Sequence, residues 1–180
     1  SQVKPQEIYN QLPNHAPQEG ESMEVIFKDF QDIIMPGMTH WQHPKFFAYF
    51  PANTSYASIL GEMITATLGA QCMIWDTSPA AAELEEQVMN WLKEMIGIPS
   101  NFEGVIQDTA STATLTAILT AREKASNYSI NKNGIEQNNM RVYCSGEAHS
   151  SVEKAVKIMG LGQKNLVKVA TDEGLCMCPE

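Results

Sequence analysis

Two short polar segments contain the residues best suited to chemistry. The first, QDTAST at residues 107–112, follows a short apolar run and places Thr109, Ser111 and Thr112 at the start of a helical pattern. The unpaired N–H groups and partial positive charge of a helix N-terminus favour phosphate. The segment therefore indicates a phosphate cradle without a glycine-rich loop, although Ser and Thr also cap many ordinary helices.

The second segment, GEAHSS at residues 146–151, places His149 after a strand pattern and before a helix pattern. Ligands of α/β domains bind where strands end and helices begin. A helix N-terminus beside the ring would also disfavour the imidazolium form. His149 is therefore a candidate catalytic residue; a purely structural histidine is the alternative.

Other catalytic signatures are missing from the sequence. It contains no P-loop, GxGxxG, HExxH or GxSxG motif, and its carboxylates form no evident acid/base pair. The four cysteines, Cys72, Cys144, Cys176 and Cys178, match no common zinc or redox spacing, so no metal site is predicted. Spacing alone thus indicates only an α/β domain that binds phosphate.

The composition excludes several classes of protein. The chain has 180 residues, which is one domain or an incomplete piece of a larger one, and 43% hydrophobic residues exclude disorder for most of it. A net charge of −9 argues against nucleic-acid and anionic-membrane partners. No apolar run approaches the ~20 residues that span a bilayer. Unpaired cysteines favour a reducing cytoplasm.

An aromatic segment, HWQHPKFFAYFP at residues 40–51, follows neither a helical nor a strand period. Two prolines interrupt it. One interpretation is a loop that fills a hydrophobic core. The other is a pocket wall for a flat apolar ligand.

The first half of the chain predicts three helices behind an extended arm at residues 1–20. The first helix begins at Ser22 and ends at Pro36-Gly37, and the second spans Thr54 to Leu68. The third follows Ser78-Pro79 and ends before Gly97. Its predicted buried stripe consists of Leu84, Val88, Trp91 and Met95.

From residue 104 onwards the pattern alternates between strand and helix. Strands are predicted at 104–107, 141–144 and 165–169, with helices reaching to about residues 125 and 159 between them, and a polar surface excursion at 127–139. This alternation predicts an α/β domain with a largely parallel sheet.

At these same segments the sequence resembles the group II pyridoxal 5′-phosphate (PLP) decarboxylases, specifically their aromatic-L-amino-acid branch. The matching stretches are IIMPGMTHWQHPKFFAYFP (33–51), SPAAAELEEQVMNWL (78–92), GVIQDTASTATLTAILTAR (104–122) and EAHSSVEKA (147–155). They occur in the family's order and at family-like separations.

The resemblance implies the aspartate-aminotransferase-like PLP-dependent transferase fold (type I), of which this chain is the N-terminal part. Residues 1–38 would be an incomplete arm and helix, and residues 39–180 the N-terminal portion of the PLP-binding large domain. The family forms homodimers with sites at the subunit interface. The expected activity is decarboxylation of an L-amino acid, aromatic rather than acidic because of the aromatic segment.

The resemblance also implies roles for single residues. His149 corresponds to the histidine that stacks on the PLP ring and contacts the substrate carboxylate, and Ala110 and Ser111 to the pair that holds the phosphate. The substrate-pocket wall would consist of Trp41, Tyr49, Phe50 and Pro51. Gln71 and Met73 correspond to positions that reach the neighbouring subunit's pocket.

The sequence departs from the family pattern at three places near these residues. Asp108-Thr109 stands where the family often has Gly-Ser, and Ala52 stands where a Thr often follows Phe-Pro. Gln71 and Met73 replace a frequent Ile and Phe. These changes leave PLP chemistry in place and weaken the inference to any particular aromatic substrate.

The family's cofactor-anchoring lysine lies in an Asn-x-His-Lys context that no lysine of this chain shares. We therefore expect the N-terminal part of a longer enzyme, inactive alone, with the lysine supplied by a C-terminal part on the same or a separate chain. An aromatic aldehyde synthase of the same family is the first alternative. A non-catalytic truncated homologue that only dimerises or binds PLP is the second.

Overall fold

The computed structural model describes residues 3–135 and 139–178. The chain divides into two compact units between Gln71 and Cys72. The sequence-based domain boundary at residues 38/39 stays a prediction. In the part of the chain described, no helix is long and apolar enough to cross a membrane, and the four cysteines form no disulfide.

The first unit is helical, and local capping residues set its helix boundaries. A 3-10 turn, Tyr9–Gln11, lies within the otherwise irregular N-terminal arm. Helix α1 (Met23–Asp29) continues through a π-helical turn, Phe30–Ile34, into the short α2 (Met35–Gly37). The Ser22 hydroxyl caps α1 by accepting from the Val25 N–H at 3.4 Å, as predicted.

Helix α3 (Tyr56–Leu68) begins two residues later than Thr54, the predicted start. The reason is a reciprocal capping box, in which Ser55 accepts from the Ser58 N–H at 3.1 Å and Ser58 accepts from the Ser55 N–H at 2.9 Å. Gly69 ends the helix at φ 57°, a left-handed conformation that favours glycine.

The second unit opens with a 3-10 turn, Trp75–Thr77, and the long helix α4 (Pro79–Ile96). The predicted bounds of α4 are confirmed, but its predicted burial is wrong. Leu84, Trp91 and Met95 are 61%, 48% and 77% exposed, and Val88 is half-buried. Helical spacing marks a face that is suited to burial, but burial itself needs a second layer. The described residues place none there.

The predicted strand at residues 104–107 is also wrong, since these residues are irregular. A strand exists only through ladder hydrogen bonds to a neighbour. No partner strand lies beside this apolar run within the described ranges, and Val105 and Ile106 are exposed.

The rest of the unit follows the predicted alternation. Helix α5 (Ala110–Ala125) is followed by the four-residue α6 (Ile130–Asn133), inside the predicted excursion, of which residues 136–138 lie outside the described residues. Strands β1 (Val142–Ser145) and β2 (Leu166–Val169) then pair in parallel, with α7 (Ser151–Ile158) between them. The register joins Val142 to Leu166 and Ser145 to Val169. This parallel pair confirms the predicted α/β arrangement.

The buried core lies where α5 and α7 meet the two strands. Ala155, Val156, Met159 and Leu161 are all nearly inaccessible to solvent, and Val156 is fully buried. Ile118 and Leu119 of α5 pack against this cluster, as do Val142 and Leu166 of the strands. The core therefore fixes α7, and the loop that precedes it, against β1 and α5.

A buried ion pair holds the opposite end of the α5–α7 contact. Arg122 and Glu123 pair at 2.7 Å, with side chains only 11% and 8% exposed. Arg122 also donates from Nη1 to the Met159 carbonyl at 2.8 Å, beyond the end of α7. The second Glu123 oxygen accepts from the Asn131 N–H at 3.2 Å. The Arg122–Glu123 pair thus links α5, α6 and the end of α7.

We predict that Glu123→Ala strongly destabilises the intact protein. Removing one partner leaves the Arg122 charge buried and unpaired, which costs about 3–5 kcal/mol. Urea unfolding of wild type and variant measures the loss.

The matched control is Glu153→Ala. Glu153 accepts from Lys157 at 2.6 Å on the open surface of α7, and this hydrogen bond lowers the pKa of the Glu153 carboxyl. Exposed pairs of this kind add little to stability. Equal losses from the two substitutions would contradict the structural role of the buried pair.

Candidate active site

The N-terminus of α5 offers hydrogen-bond donors that could hold an anion. Thr109 is the N-cap, and its Oγ1 accepts from the Thr112 N–H at 3.2 Å. The threonine that replaces a frequent family serine therefore keeps the capping function. Ala110 and Ser111 are exposed, and among residues 3–135 and 139–178 no group accepts from their backbone N–H groups. Two N–H donors and the Ser111 hydroxyl are available to a ligand.

His149 lies in the loop between β1 and α7, as the sequence predicts, with its side chain exposed. Its Nδ1 accepts from the Ser151 N–H at 3.2 Å. Ser151 is the first residue of α7, and the preceding Ser150 makes no side-chain capping bond. The imidazole therefore satisfies an N–H group at the start of α7 that the helix itself leaves unpaired.

A hydrogen-bonded chain connects His149 to the first turn of α5. The Ser151 Oγ lies 3.0 Å from His149 Nδ1 and 3.4 Å from the Thr114 Oγ1. Thr114 in turn donates to the Ala110 carbonyl at 2.8 Å. The structure thus brings together His149 and the Ala110-Ser111 pair, which the sequence associates with one cofactor. We call Ser151 and Thr114 the histidine relay.

Sequence reasoning did not find the histidine relay. Ser151 follows His149 by two residues in the AHSS motif, and its hydroxyl was a detectable signal. Thr114 follows Ala110 by four residues, the spacing at which a helical threonine bonds back to a carbonyl. Their pairing joins positions 37 residues apart and has no local signature.

The aromatic segment of the first unit is organised by two consecutive turns. The His43 N–H donates to the His40 carbonyl at 3.1 Å, and the Phe46 N–H donates to the His43 carbonyl at 2.8 Å. Trp41 then packs on Phe46, with ring centroids 5.2 Å apart, and stacks on Tyr49 at 5.3 Å and 15°. Tyr49 has φ 59°, an uncommon conformation for a residue with a side chain. Trp41 and Tyr49 both remain accessible, so the stacked rings present an aromatic surface to solvent.

The remaining candidate substrate residues belong to both units. Phe50 is almost fully exposed, and Pro51 lies with Trp41 along a shallow cleft of about 320 Å³. Gln71 ends the first unit. Met73, in the second unit, lines a cleft of about 670 Å³ between the start of α4 and the loop that follows it. The roles of all these residues stay predictions.

Within the described ranges, no group of three or more His, Cys, Asp or Glu side chains could hold a metal ion. The chemistry of the site rests on hydroxyl, N–H and imidazole groups.

Comparison with known proteins identifies the family. Residues 5–180 match the model of the pyridoxal-dependent decarboxylase conserved domain. The chain belongs to the pyridoxal-dependent decarboxylase family.

Two plant enzymes illustrate the similarity. The chain is 40% identical to 4-hydroxyphenylacetaldehyde synthase of Rhodiola rosea, over 98% of this chain and 37% of that protein. It is 43% identical to tyrosine decarboxylase 2 of Narcissus pseudonarcissus, over 92% of this chain and 34% of that protein. The chain thus spans about a third of the length of these relatives.

The fold agrees with this assignment. The crystal structure of Oryza sativa tryptophan decarboxylase (TDC) with PLP and tryptamine superposes with a TM-score of 0.88 at 31% identity, covering 96% of this chain and 36% of that one. The predicted aspartate-aminotransferase-like fold is confirmed, and this chain forms its N-terminal part.

The residues at the start of α5 fit the phosphate of PLP. A dianion needs several donors in a field of positive potential. The N–H groups of Ala110 and Ser111, with the Ser111 hydroxyl, supply donors at the positive end of a sixteen-residue helix. Asp108, a departure from the family pattern, is exposed beside them and so remains solvated.

We predict that Thr109→Ala destabilises the intact protein by about 1 kcal/mol, the usual cost of losing an N-cap hydroxyl. Thermal unfolding without cofactor measures it. Ser78→Ala is the matched control, because Ser78 occupies the N-cap position of α4 without a side-chain capping bond. An equal effect of both substitutions would show that the Thr109 cap contributes nothing specific.

Proposed function

We propose that this chain is the N-terminal part of a PLP-dependent carboxy-lyase that converts an aromatic L-amino acid to its amine and CO2. One observation carries the proposal. The histidine relay joins His149 to the first turn of α5, so that an imidazole and a phosphate-binding helix start belong to one hydrogen-bonded group. The family assignment supplies the cofactor that such a group would hold.

The cofactor, the residues at the start of α5 and His149 each have a distinct task. Bound PLP supplies an electron sink for the pair that is released when the carboxylate leaves as CO2. Ala110 and Ser111 donate to its phosphate, and His149 packs on its ring. The Nε2 edge of the imidazole would donate to the substrate carboxylate and orient it for its loss as CO2.

The aromatic preference rests on the stacked rings of Trp41 and Tyr49. A flat apolar surface favours an aromatic side chain over an acidic one, because stacking adds to the burial of apolar area. The names of the relatives, among them a tyrosine decarboxylase, are consistent with this preference. Pro51 and Phe50 complete the proposed wall, and Gln71 and Met73 serve the neighbouring subunit's pocket.

The proposed enzyme also contains a C-terminal part and a second subunit. The anchoring lysine comes from a C-terminal part, on the same or a separate polypeptide, and the enzyme acts as a cytoplasmic homodimer. The segment from Thr39 to Ser78 lies at the subunit interface. The exposed apolar stripe of α4 is consistent with a larger assembly.

An aldehyde synthase is the second candidate, favoured by the 40% identity to the Rhodiola enzyme. Such an enzyme couples decarboxylation to oxidative deamination. Product analysis with L-tyrosine, L-tryptophan and L-phenylalanine separates the two: a decarboxylase accumulates the amine, and a synthase accumulates the aldehyde and consumes O2. A protein that forms neither product from these substrates, with the lysine-bearing part present in its mass spectrum, would contradict the proposal.

We predict that His149→Ala lowers turnover by about 10²-fold or more, because misplacing the reacting group costs this much in the chemical step. Cofactor retention should fall little, since the phosphate contacts and the lysine remain. Steady-state kinetics and cofactor absorbance after dialysis measure the two effects.

Ser111→Ala should give the opposite phenotype. Loss of one charge-assisted hydrogen bond to the phosphate weakens PLP retention by roughly 1.5–3 kcal/mol, and turnover should recover at saturating PLP. Exchanged phenotypes for His149→Ala and Ser111→Ala would overturn the roles assigned to these residues.

A further inference from the structure

We propose that Ser151 and Thr114, the histidine relay, are positioning residues that fix the tautomer and the orientation of the His149 imidazole. The task of the imidazole rests on the function proposed above. The effect of the relay on the ring rests only on the hydrogen bonds of this chain.

The Ser151 backbone determines which ring nitrogen carries the proton. Its N–H can only donate, and it points to His149 Nδ1 at 3.2 Å. Nδ1 is therefore an acceptor, and the proton of the neutral ring lies on Nε2. The nitrogen that keeps an N–H is thus the one on the far edge of the ring from α7.

The Ser151 hydroxyl strengthens this arrangement. Ser151 is only 6% exposed, so its Oγ has to find protein partners. Two acceptors lie within reach, His149 Nδ1 at 3.0 Å and Thr114 Oγ1 at 3.4 Å. Its single proton is shared between these two acceptors, so the hydroxyl adds a second donor to Nδ1 and ties the imidazole to Thr114.

Thr114 anchors the relay to α5. Its own hydroxyl proton is used at 2.8 Å by the Ala110 carbonyl, which leaves its Oγ1 lone pairs towards Ser151. Ala110 is itself one of the proposed phosphate donors, through its N–H group. The relay therefore sets the distance between the imidazole and the phosphate-binding turn, which the cofactor must match.

The expected kinetic effect is a split between turnover and binding. A looser imidazole acts on the decarboxylation step, where misplacement is costly, while the phosphate contacts are unchanged. For Ser151→Ala in the intact PLP-loaded enzyme we expect kcat to fall about tenfold or more, with KM and PLP retention changed less than about twofold.

Thr114 allows matched variants. Thr114→Val keeps the shape and removes the hydroxyl, and it should lower kcat about threefold, because it acts on the ring through Ser151. Thr114→Ser keeps the hydroxyl and should restore wild-type kcat. Thr120→Val is the control on the same helix: Thr120 makes the same kind of bond, to the Thr116 carbonyl at 2.8 Å, away from the relay.

The tautomer is measured without activity, by nitrogen NMR of the cofactor-free intact protein labelled at histidine. The His149 signals are assigned by their loss in His149→Ala. In the wild type they should show Nε2 protonated and Nδ1 bare, and in Ser151→Ala the Nδ1-protonated form should increase. Thr114→Val keeps both Ser151 donors on Nδ1, so it should change kcat without changing the tautomer. Thr120→Val should leave the pattern unchanged.

The outcomes separate the two proposals. A wild-type His149 with its proton on Nδ1, or relay variants with unchanged tautomer and unchanged kcat, would overturn the histidine relay. A protein that shows the expected tautomer shifts but acts on no aromatic amino acid would retain the relay and refute the proposed function. If Ser151→Ala fails to fold, the kcat values of Thr114→Val and Thr114→Ser test the relay instead, and equal values for these two variants would overturn it.

Discussion

The candidate site depends on the contact between α5 and α7, which is fixed at both ends. At one end Arg122 reaches the carbonyl of Met159, and Glu123 balances its charge. At the other end Ser151 lies between His149 and Thr114. The buried Val156 lies in the core between α7 and its neighbours. Because both ends are tied, α7 has little freedom to slide along α5, and the loop that carries His149 keeps its distance from the first turn of α5, the proposed phosphate site.

The two ends are built from different interactions for physical reasons. The end with Arg122 and Glu123 is buried and can use an ion pair, since its charges are desolvated together and their hydrogen bonds are satisfied. The end with Ser151 and Thr114 adjoins the proposed phosphate donors, where a charged pair would compete with a bound phosphate. Neutral hydroxyls fix the geometry at this end without adding a competing charge. The contact between α5 and α7 thus uses uncharged hydroxyls beside the candidate site and an ion pair away from it.

Local signals were predicted well from the sequence. The Ser22 cap, the ends of α3 and α4 at Gly69 and Gly97, and the placement of His149 between β1 and α7 depend on neighbouring residues only. The run at 104–107 was assigned to a strand because its residue types suit one, but pairing requires a partner elsewhere in the chain. The apolar stripe of α4 failed as a burial prediction for the same reason.

The candidate site shows the same division between local and distant information. The AHSS and QDTAST segments each reveal a junction, and the resemblance to a family relates both to one cofactor. Neither segment indicates that Ser151 and Thr114 join them, since that contact depends on how α7 packs against α5. One ring nitrogen of His149 is committed locally, to the Ser151 N–H at the start of α7. The other nitrogen is the one that can face a ligand, and the packing of α7 against α5 decides where in the site the His149 imidazole offers it.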